Sequence, residues 1–439
     1  MTNKRRTRIG IVTMIFLFGM ISFVTNLAAP MGNIWKMQPG VNNSNVWGMM
    51  GNMMNFLAYL IMGIPAGKIL SKKGYRKTAL IAIVVGFWGI VVQFLSGKVF
   101  FDSDMTPLPS SFFIYLLGAF ISGFCVCLLN TVVNPMLNIL GGGGKHGNQL
   151  IQIGGTFNSL TGTITPMLVG VMIGELTKQT HISEVNPLLF IAMGVFVIAF
   201  IILSVVPFDE PTHERDNVEG GVSPWHFPHF VLGAVAIFIY VGVEVGIPGT
   251  LNFYLSDSTE RGAGLGVDAV TFAGFAAGTY WFMMLIGRFL STFIASKVSS
   301  RTMLAWVAIV GVALVVTAIL VPSDSRISVP VFTGDSFENV MLPMSALFLV
   351  LCGLCTSVMW GAIFNLAIDG LGQYTEEASG IFMMLVVGGG ILPLIQNAIA
   401  DHVSYMISFI VSALGFIYIL WYALRGCKLG KKAKETQAA

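Results

Sequence analysis

The sequence predicts an all-α membrane protein of twelve transmembrane helices in two six-helix bundles. Composition, the length of the apolar blocks and the placement of basic residues each point there. Of 439 residues, 55% are hydrophobic and 10% charged, and the mean hydropathy is +0.80. A soluble domain carries about 25% charged residues because its surface must face water. Here the apolar residues run in blocks of 20 or more, the length a helix needs to cross about 30 Å of hydrocarbon. Lipid offers the backbone no hydrogen bonds, so such blocks must be helical.

The predicted spans are 9–33, 45–70, 78–97, 111–140, 148–174, 186–207, 229–254, 268–295, 302–321, 341–368, 378–400 and 403–424. The first follows a basic start and runs through Met31 without a small-residue cleavage site, so it reads as a span and not a signal peptide. The longest connection, 208–228, holds the sustained polar stretch DEPTHERDNVEGG. It separates an N-terminal unit, 1–207, from a C-terminal unit, 229–424, which is followed by a tail, 425–439. Six spans on each side of such a linker is the layout of a transporter built around a central cavity. A faint internal repeat agrees: TGTITPML (161–168) and VGGGILPL (387–394) each place a proline four residues after a glycine, in the fifth span of each half. Such residues loosen helices where backbone lines a cavity.

Orientation follows from the cations. Of 24 Lys and Arg, all but Lys36, Lys98, Lys178, Arg261 and Arg326 fall on one side. That side is cytoplasmic by the positive-inside rule, so both termini and the central loop face the cytoplasm.

Several other classes are disfavoured. The net charge of +3 sits at helix ends and gives no nucleic-acid surface. Cys352 and Cys355 form a CxxC inside an apolar span, with no second pair or His nearby, and read as packing residues. GGGGKHG (141–147) lacks the Gly and Ser/Thr that a phosphate loop needs. All six His lie in loops or at helix ends, which argues against an enzyme with a nucleophile–base pair or metal cluster at depth, and no cofactor is expected.

One ionisable residue stands out. Glu244 is the acid that falls deep in an apolar span, where a charge is costly and a function is the default hypothesis. A structural ion pair with Arg288, nearer the cytoplasmic end of helix 8, is the alternative. Candidates to meet a polar solute are the amides Asn26, Asn130, Asn158, Gln396 and Asn397, with Glu244 and the aromatic faces of Trp281 and Trp360. For each amide a helix–helix hydrogen bond is the competing use. For each tryptophan it is lipid-facing packing.

Longer segments carry a family resemblance. GKILSKKGYRK (67–77) resembles the Gly-rich basic motif of major facilitator proteins, with Ser71 where that motif has Asp. Lys72, Lys73, Arg76 and, from the second half, Arg288 are the matching gating candidates. The segments NTVVNPMLNILG (130–141), FNSLTGTITP (157–166), YVGVEVGIPG (240–249), GRFL (287–290), FNLAIDGLGQYT (364–375) and GGGILPLIQNAIAD (388–401) resemble the fucose/proton symporter family, most closely its glucose/galactose transporter branch. They occur in order over both halves. The resemblance implies the major facilitator fold, alternating access and a monosaccharide substrate of the glucose, galactose or mannose type.

Departures from the family pattern matter as much. The family's two coupling carboxylates, in helices 1 and 4, match Asn26 and Asn130 here. An amide can bond a hydroxyl but does not take up a proton near neutral pH. The family's helix-5 Gln–Asn pair becomes Gly155 and Asn158, with Asn158 expected near Asn130. That leaves Glu244 to couple H+ or Na+. The expectation is hexose symport in a bacterial cytoplasmic membrane by a monomer; uncoupled facilitated diffusion is the alternative, and a non-transporting sugar sensor a remote one.

Overall fold

In the computed structural model the chain is a bundle of long helices with one small β-hairpin. The structure describes residues 3–38, 41, 44–98, 109–141, 144–173, 182–206, 223–257, 259–266, 268–294, 298–333, 336–371 and 375–429. Most of the central linker, the end of the C-terminal tail, Arg215 and Lys297 lie outside them.

Among the described residues, eleven helical stretches are long and apolar enough to span a membrane, and one of them is double length. The 52-residue stretch Asn45–Ser96 is interrupted at Gly74, whose φ of 78° and ψ of 173° no helix accommodates. Positive φ costs glycine little, so the chain turns there without strain. The break separates α2 (45–73) from α3 (75–96). With it the spans number twelve: α1 (Asn3–Met37), α2, α3, α4 (Pro109–Leu140), α5 (Gly144–Ile173), α6 (Asn186–Val205), α7 (Pro228–Ser256), α8 (Ala269–Ile294), α9 (Ser300–Leu320), α10 (Met344–Ile368), α11 (Ala378–His402) and α12 (Tyr405–Gly426). The helices alternate in direction. One face therefore carries the start of α1, called here the terminal face, and the opposite face is called distal.

Two predicted spans need correction. Residues 341–343, expected to open span 10, belong to a strand. Strands β1 (Arg326–Phe332) and β2 (Phe337–Pro343) form an antiparallel hairpin on the distal face, pairing Val329 with Val340. Its inner side, with Val331 and Leu342, packs on Phe272 of α8. Span 10 is also broken, at Ser357 and Val358, and span 11 at Val386 and Val387.

The halves meet where small residues let backbones approach, as expected in lipid. A Cβ on Gly274 of α8 would strike the Pro166 carbonyl of α5. One on Gly390 of α11 would lie 2.9 Å from the Met53 sulfur of α2. The five cysteines are buried and free, the packing role expected of them.

The two halves also repeat a capping device. Arg76, at the start of α3, donates to the Leu203 carbonyl at 2.8 Å and to that of Ser204, at the end of α6. Arg301, at the start of α9, donates to the Ala423 and Leu424 carbonyls at 2.8 and 2.6 Å, at the end of α12. Carbonyls in a last helical turn lack intrahelical partners, and a guanidinium fork satisfies two at once. Arg76, a gating candidate, thus serves in this state as the end cap of α6. Lys72 and Lys73 are exposed on the same connection.

Candidate functional site

Three helix prolines converge on one small cavity between the halves. Pro30 of α1, Pro166 of α5 and Pro248 of α7 line it, with Thr25, Asn26, Asn52, Asn252, Val245 and Trp281. A proline lacks the N–H that would bond the carbonyl four residues back. The carbonyls of Asn26, Gly162 and Glu244 are therefore left out of their helical ladders, as acceptors near the cavity. Pro393 of α11 frees the Gly389 carbonyl in the same way, and there Asn52 Nδ2 donates to it at 2.9 Å. The cavity measures ≈ 30 Å³, room for about two waters.

The cavity is amphipathic. Trp281, 7% exposed, gives it an aromatic wall, and Asn26, Asn52 and Asn252 give it amide edges. Asn26 Nδ2 donates to the Ser22 carbonyl at 2.9 Å and to Ser22 Oγ at 3.1 Å, within its own helix. Asn252 Oδ1 accepts from Asn33 of the other half at 2.5 Å.

Below the cavity, toward the terminal face, lies the ionic network. Glu244 stands near the middle of α7, and its Oε1 accepts from the Tyr240 hydroxyl at 2.6 Å. Arg288 Nη2 of α8 is 3.9 Å from the same oxygen. Arg288 Nη1 meanwhile crosses to α5, donating to the Gly155 carbonyl at 2.6 Å and to Ser159 Oγ at 2.8 Å. Gly155 is open toward it: a Cβ there would sit 3.4 Å from Nη1. A charge in a low-dielectric interior is stabilised by a nearby opposite charge and by hydrogen bonds to its charged form. Here the Glu–Arg pair and the tyrosine supply both.

The other sequence candidates are distributed around this centre. Asn130 donates to the Tyr59 hydroxyl at 2.7 Å and to the Val126 carbonyl at 3.1 Å. Asn158 donates to the Phe18 carbonyl at 3.0 Å. The two amides thus engage different helices, and no bond joins them. Trp360 packs beside Tyr240, ring centroids 6.3 Å apart. Gln396 and Asn397 are 1% and 0% exposed and in this state lie within helix packing. Gln396 accepts from Ser412 at 3.1 Å, and Asn397 donates to Thr250 at 3.0 Å and to the Pro393 carbonyl at 2.8 Å. Asn33, Asn52, Asn252 and Ser159 escaped the sequence reading. A signal existed: Asn26 and Asn33, or Asn45 and Asn52, recur at seven-residue spacing, which keeps them on one helix face.

The distal face is sealed by a dense polar seam. The Asp401 carboxylate, at the end of α11, accepts from Ser44 Oγ at 2.7 Å and from the backbone N–H groups of Asn45 and Val46 at 2.9 and 3.1 Å. It caps the positive N-terminus of α2, where a carboxylate is stabilised. Arg261 donates to the Ala400 carbonyl and, at 2.8 Å, to that of Asp401, holding that end of α11. Lys36 of α1 donates to Asn45 Oδ1 at 2.5 Å and lies 4.6 Å from the centre of the Phe253 ring. The Tyr405 hydroxyl lies 2.9 Å from Asn45 Oδ1 and 2.8 Å from Asp257 Oδ2. Burial would raise the Asp257 carboxyl. The Lys36 charge and the hydrogen bonds from Thr259 and Tyr405 outweigh it and hold the carboxyl below its ordinary value.

The Major Facilitator Superfamily model matches residues 9–393. A protein named glucose/galactose transporter from Brucella abortus (strain 9-941) is 29% identical over 430 residues, covering 95% of this chain and 93% of its own. The crystal structure of the Escherichia coli fucose:proton symporter superposes with a TM-score of 0.65 at 19% identity, covering 95% of this chain and 98% of that one. The xylose transporter of Escherichia coli, in an inward open conformation, superposes with a TM-score of 0.71 at 13% identity over 98% and 99% of the two chains. With the family model spanning most of its length and all twelve helices in place, the chain belongs to the Major Facilitator Superfamily.

Proposed function

We propose that this protein carries a hexose across a bacterial cytoplasmic membrane by alternating access, coupled to a cation through Glu244. The observation that carries the reading is a pair of adjacent sites at mid-depth. One is a Trp- and amide-lined cavity suited to a sugar ring. The other, next to it, is the half-buried Glu244–Arg288 pair. The relatives' names supply the sugar class: glucose and galactose for the Brucella protein, fucose with a proton for the Escherichia coli symporter.

Asn26, Asn52, Asn252 and the carbonyls freed by Pro30, Pro166 and Pro248 are assigned to the sugar hydroxyls, and Trp281 to the ring face. Asn130, Asn158 and Trp360 are assigned to the walls exposed once the halves part. With the basic terminal face in the cytoplasm, the sealed distal seam faces outward, and the protein works as a monomer.

A second reading has one observation in its favour. Arg288 already supplies Glu244 with a positive partner, so the site could cycle without an imported ion, as a facilitator. Uptake of labelled glucose, galactose and mannose into proteoliposomes, under proton and sodium gradients imposed separately, tests both. Accumulation above the external concentration under one gradient establishes symport and names the ion. Equilibration without accumulation under either gradient establishes the facilitator.

A further inference from the structure

Arg288 is shared between two sets of partners that move relative to each other. Glu244 is on α7 and Arg288 on α8, both in the C-terminal half. Gly155 and Ser159 are on α5, in the N-terminal half. In this state the short contacts run across the halves, 2.6 and 2.8 Å, while the contact to Glu244 is 3.9 Å. When rigid halves rock apart, contacts within a half persist and contacts between halves break. Arg288 would then lose both α5 acceptors, leaving Glu244 as the partner within reach. A guanidinium so released can turn both arms of its fork on a carboxylate.

Resting on the coupling role of Glu244, we infer that Ser159, with the Gly155 carbonyl, is a docking site that draws Arg288 away from Glu244 while the halves are closed. Ser159 is a positioning residue: it touches neither sugar nor cation and acts through Arg288. When α5 holds the guanidinium, Glu244 is less compensated and takes up a cation more readily. When α5 withdraws, Arg288 pairs fully with Glu244 and displaces it. Helix movement is thereby converted into affinity for the coupling ion. The charged and titratable side chains that face Glu244 are few. Tyr240 comes from its own helix, and Arg288 and Tyr280 from α8. The contribution of α5 at this depth is the neutral pair Gly155 and Ser159.

The halves of the chain differ at this point in a way that supports a dedicated role. GKILS (67–71) at the end of α2 reappears as GRFLS (287–291) at the end of α8. Lys68 is exposed, whereas the Arg288 side chain is 15% exposed and turned inward to Glu244 and α5. One copy serves the surface and the other the centre.

The test is infrared difference titration of the carboxyl band that Glu244→Gln removes, in lipid, together with the pH profile of uptake. In Ser159→Ala the midpoint of both is expected to move to lower pH by about one unit, because the freed Arg288 stabilises the carboxylate. Ser159→Thr keeps the hydroxyl and should restore the wild-type midpoint. Gly155→Val, which crowds Arg288 off α5, should reproduce the acid shift and serves if Ser159→Ala does not fold. A Glu244 band that titrates at the wild-type midpoint in both Ser159→Ala and Gly155→Val overturns the docking site and leaves the coupling reading intact. A wild-type protein whose Glu244 band responds neither to pH nor to Na+ and that still accumulates sugar overturns both.

Discussion

The distal seam and the centre of the molecule join the same two halves by different means. At the distal face the bonds are numerous and anchored on helix ends: Asp401 holds three groups of the other half, and the Ser256–Asn33 and Tyr405–Asn45 bonds add more. At the centre, the hydrogen bonds that cross toward the terminal face among the described residues are made by the long side chain of Arg288. A seam made of capped helix ends opens only when several bonds break together. A contact made by one flexible cation can be exchanged for another without a large change in bond count. The first suits a gate and the second a sensor, and variants can separate the two.

The largest effect is expected where the centre is broken. Arg288→Ala leaves the half-buried Glu244 without its cation, a loss of about 3 kcal/mol, read as a lower unfolding temperature in detergent. Glu244→Gln added to Arg288→Ala should recover much of that loss, because the uncompensated charge is then gone. If the double variant is no more stable than the single, the pair is not what holds Arg288.

At the seam, Asp401→Ala removes a helix cap and three hydrogen bonds, worth about 1–3 kcal/mol together. It should favour the distally open state, read as a longer spin-label distance between the distal ends of α2 and α12. Glu244→Gln should leave that distance unchanged. The seam also responds to acid. Asp257 is held below its ordinary value, so its contribution is complete above about pH 4 and is lost as the pH falls through the lowered value. Asp257→Asn should imitate acid at neutral pH, widening the same distance. A distance that is insensitive to both changes would remove Asp257 from the seam.

The smallest effect is expected at the two matching arginine caps. Arg76→Ala and Arg301→Ala each uncap the end of one helix in one half, and each should cost about 1 kcal/mol. The caps lie in different halves and share no partner, so the two costs should add. A much larger loss on transport than on stability for Arg76→Ala would restore it as a gating residue.

The number of spans was legible because hydrocarbon thickness imposes a length on each helix. The Glu244–Arg288 pair was legible because ionisable residues at depth are few and each requires a partner. The hairpin was not, because a chain this apolar offers little contrast. RISVPVF (326–332) alternates with the period of a strand, but its valines and Pro330 also suit an ill-defined loop between spans. Helix rotation was equally hidden. Gln396 and Asn397 look like pocket amides in sequence, yet their phase on α11 turns them toward Ser412 and Thr250. Asn52 looks ordinary until the carbonyl freed by Pro393 is seen opposite it.

Coupling of sugar movement to a cation rests on Glu244. Proteoliposomes containing Glu244→Gln, loaded with sugar, separate the two functions in one preparation. Exchange of labelled for unlabelled sugar is expected to persist while accumulation driven by the ion gradient disappears. Accumulation at the wild-type level in this variant would contradict it.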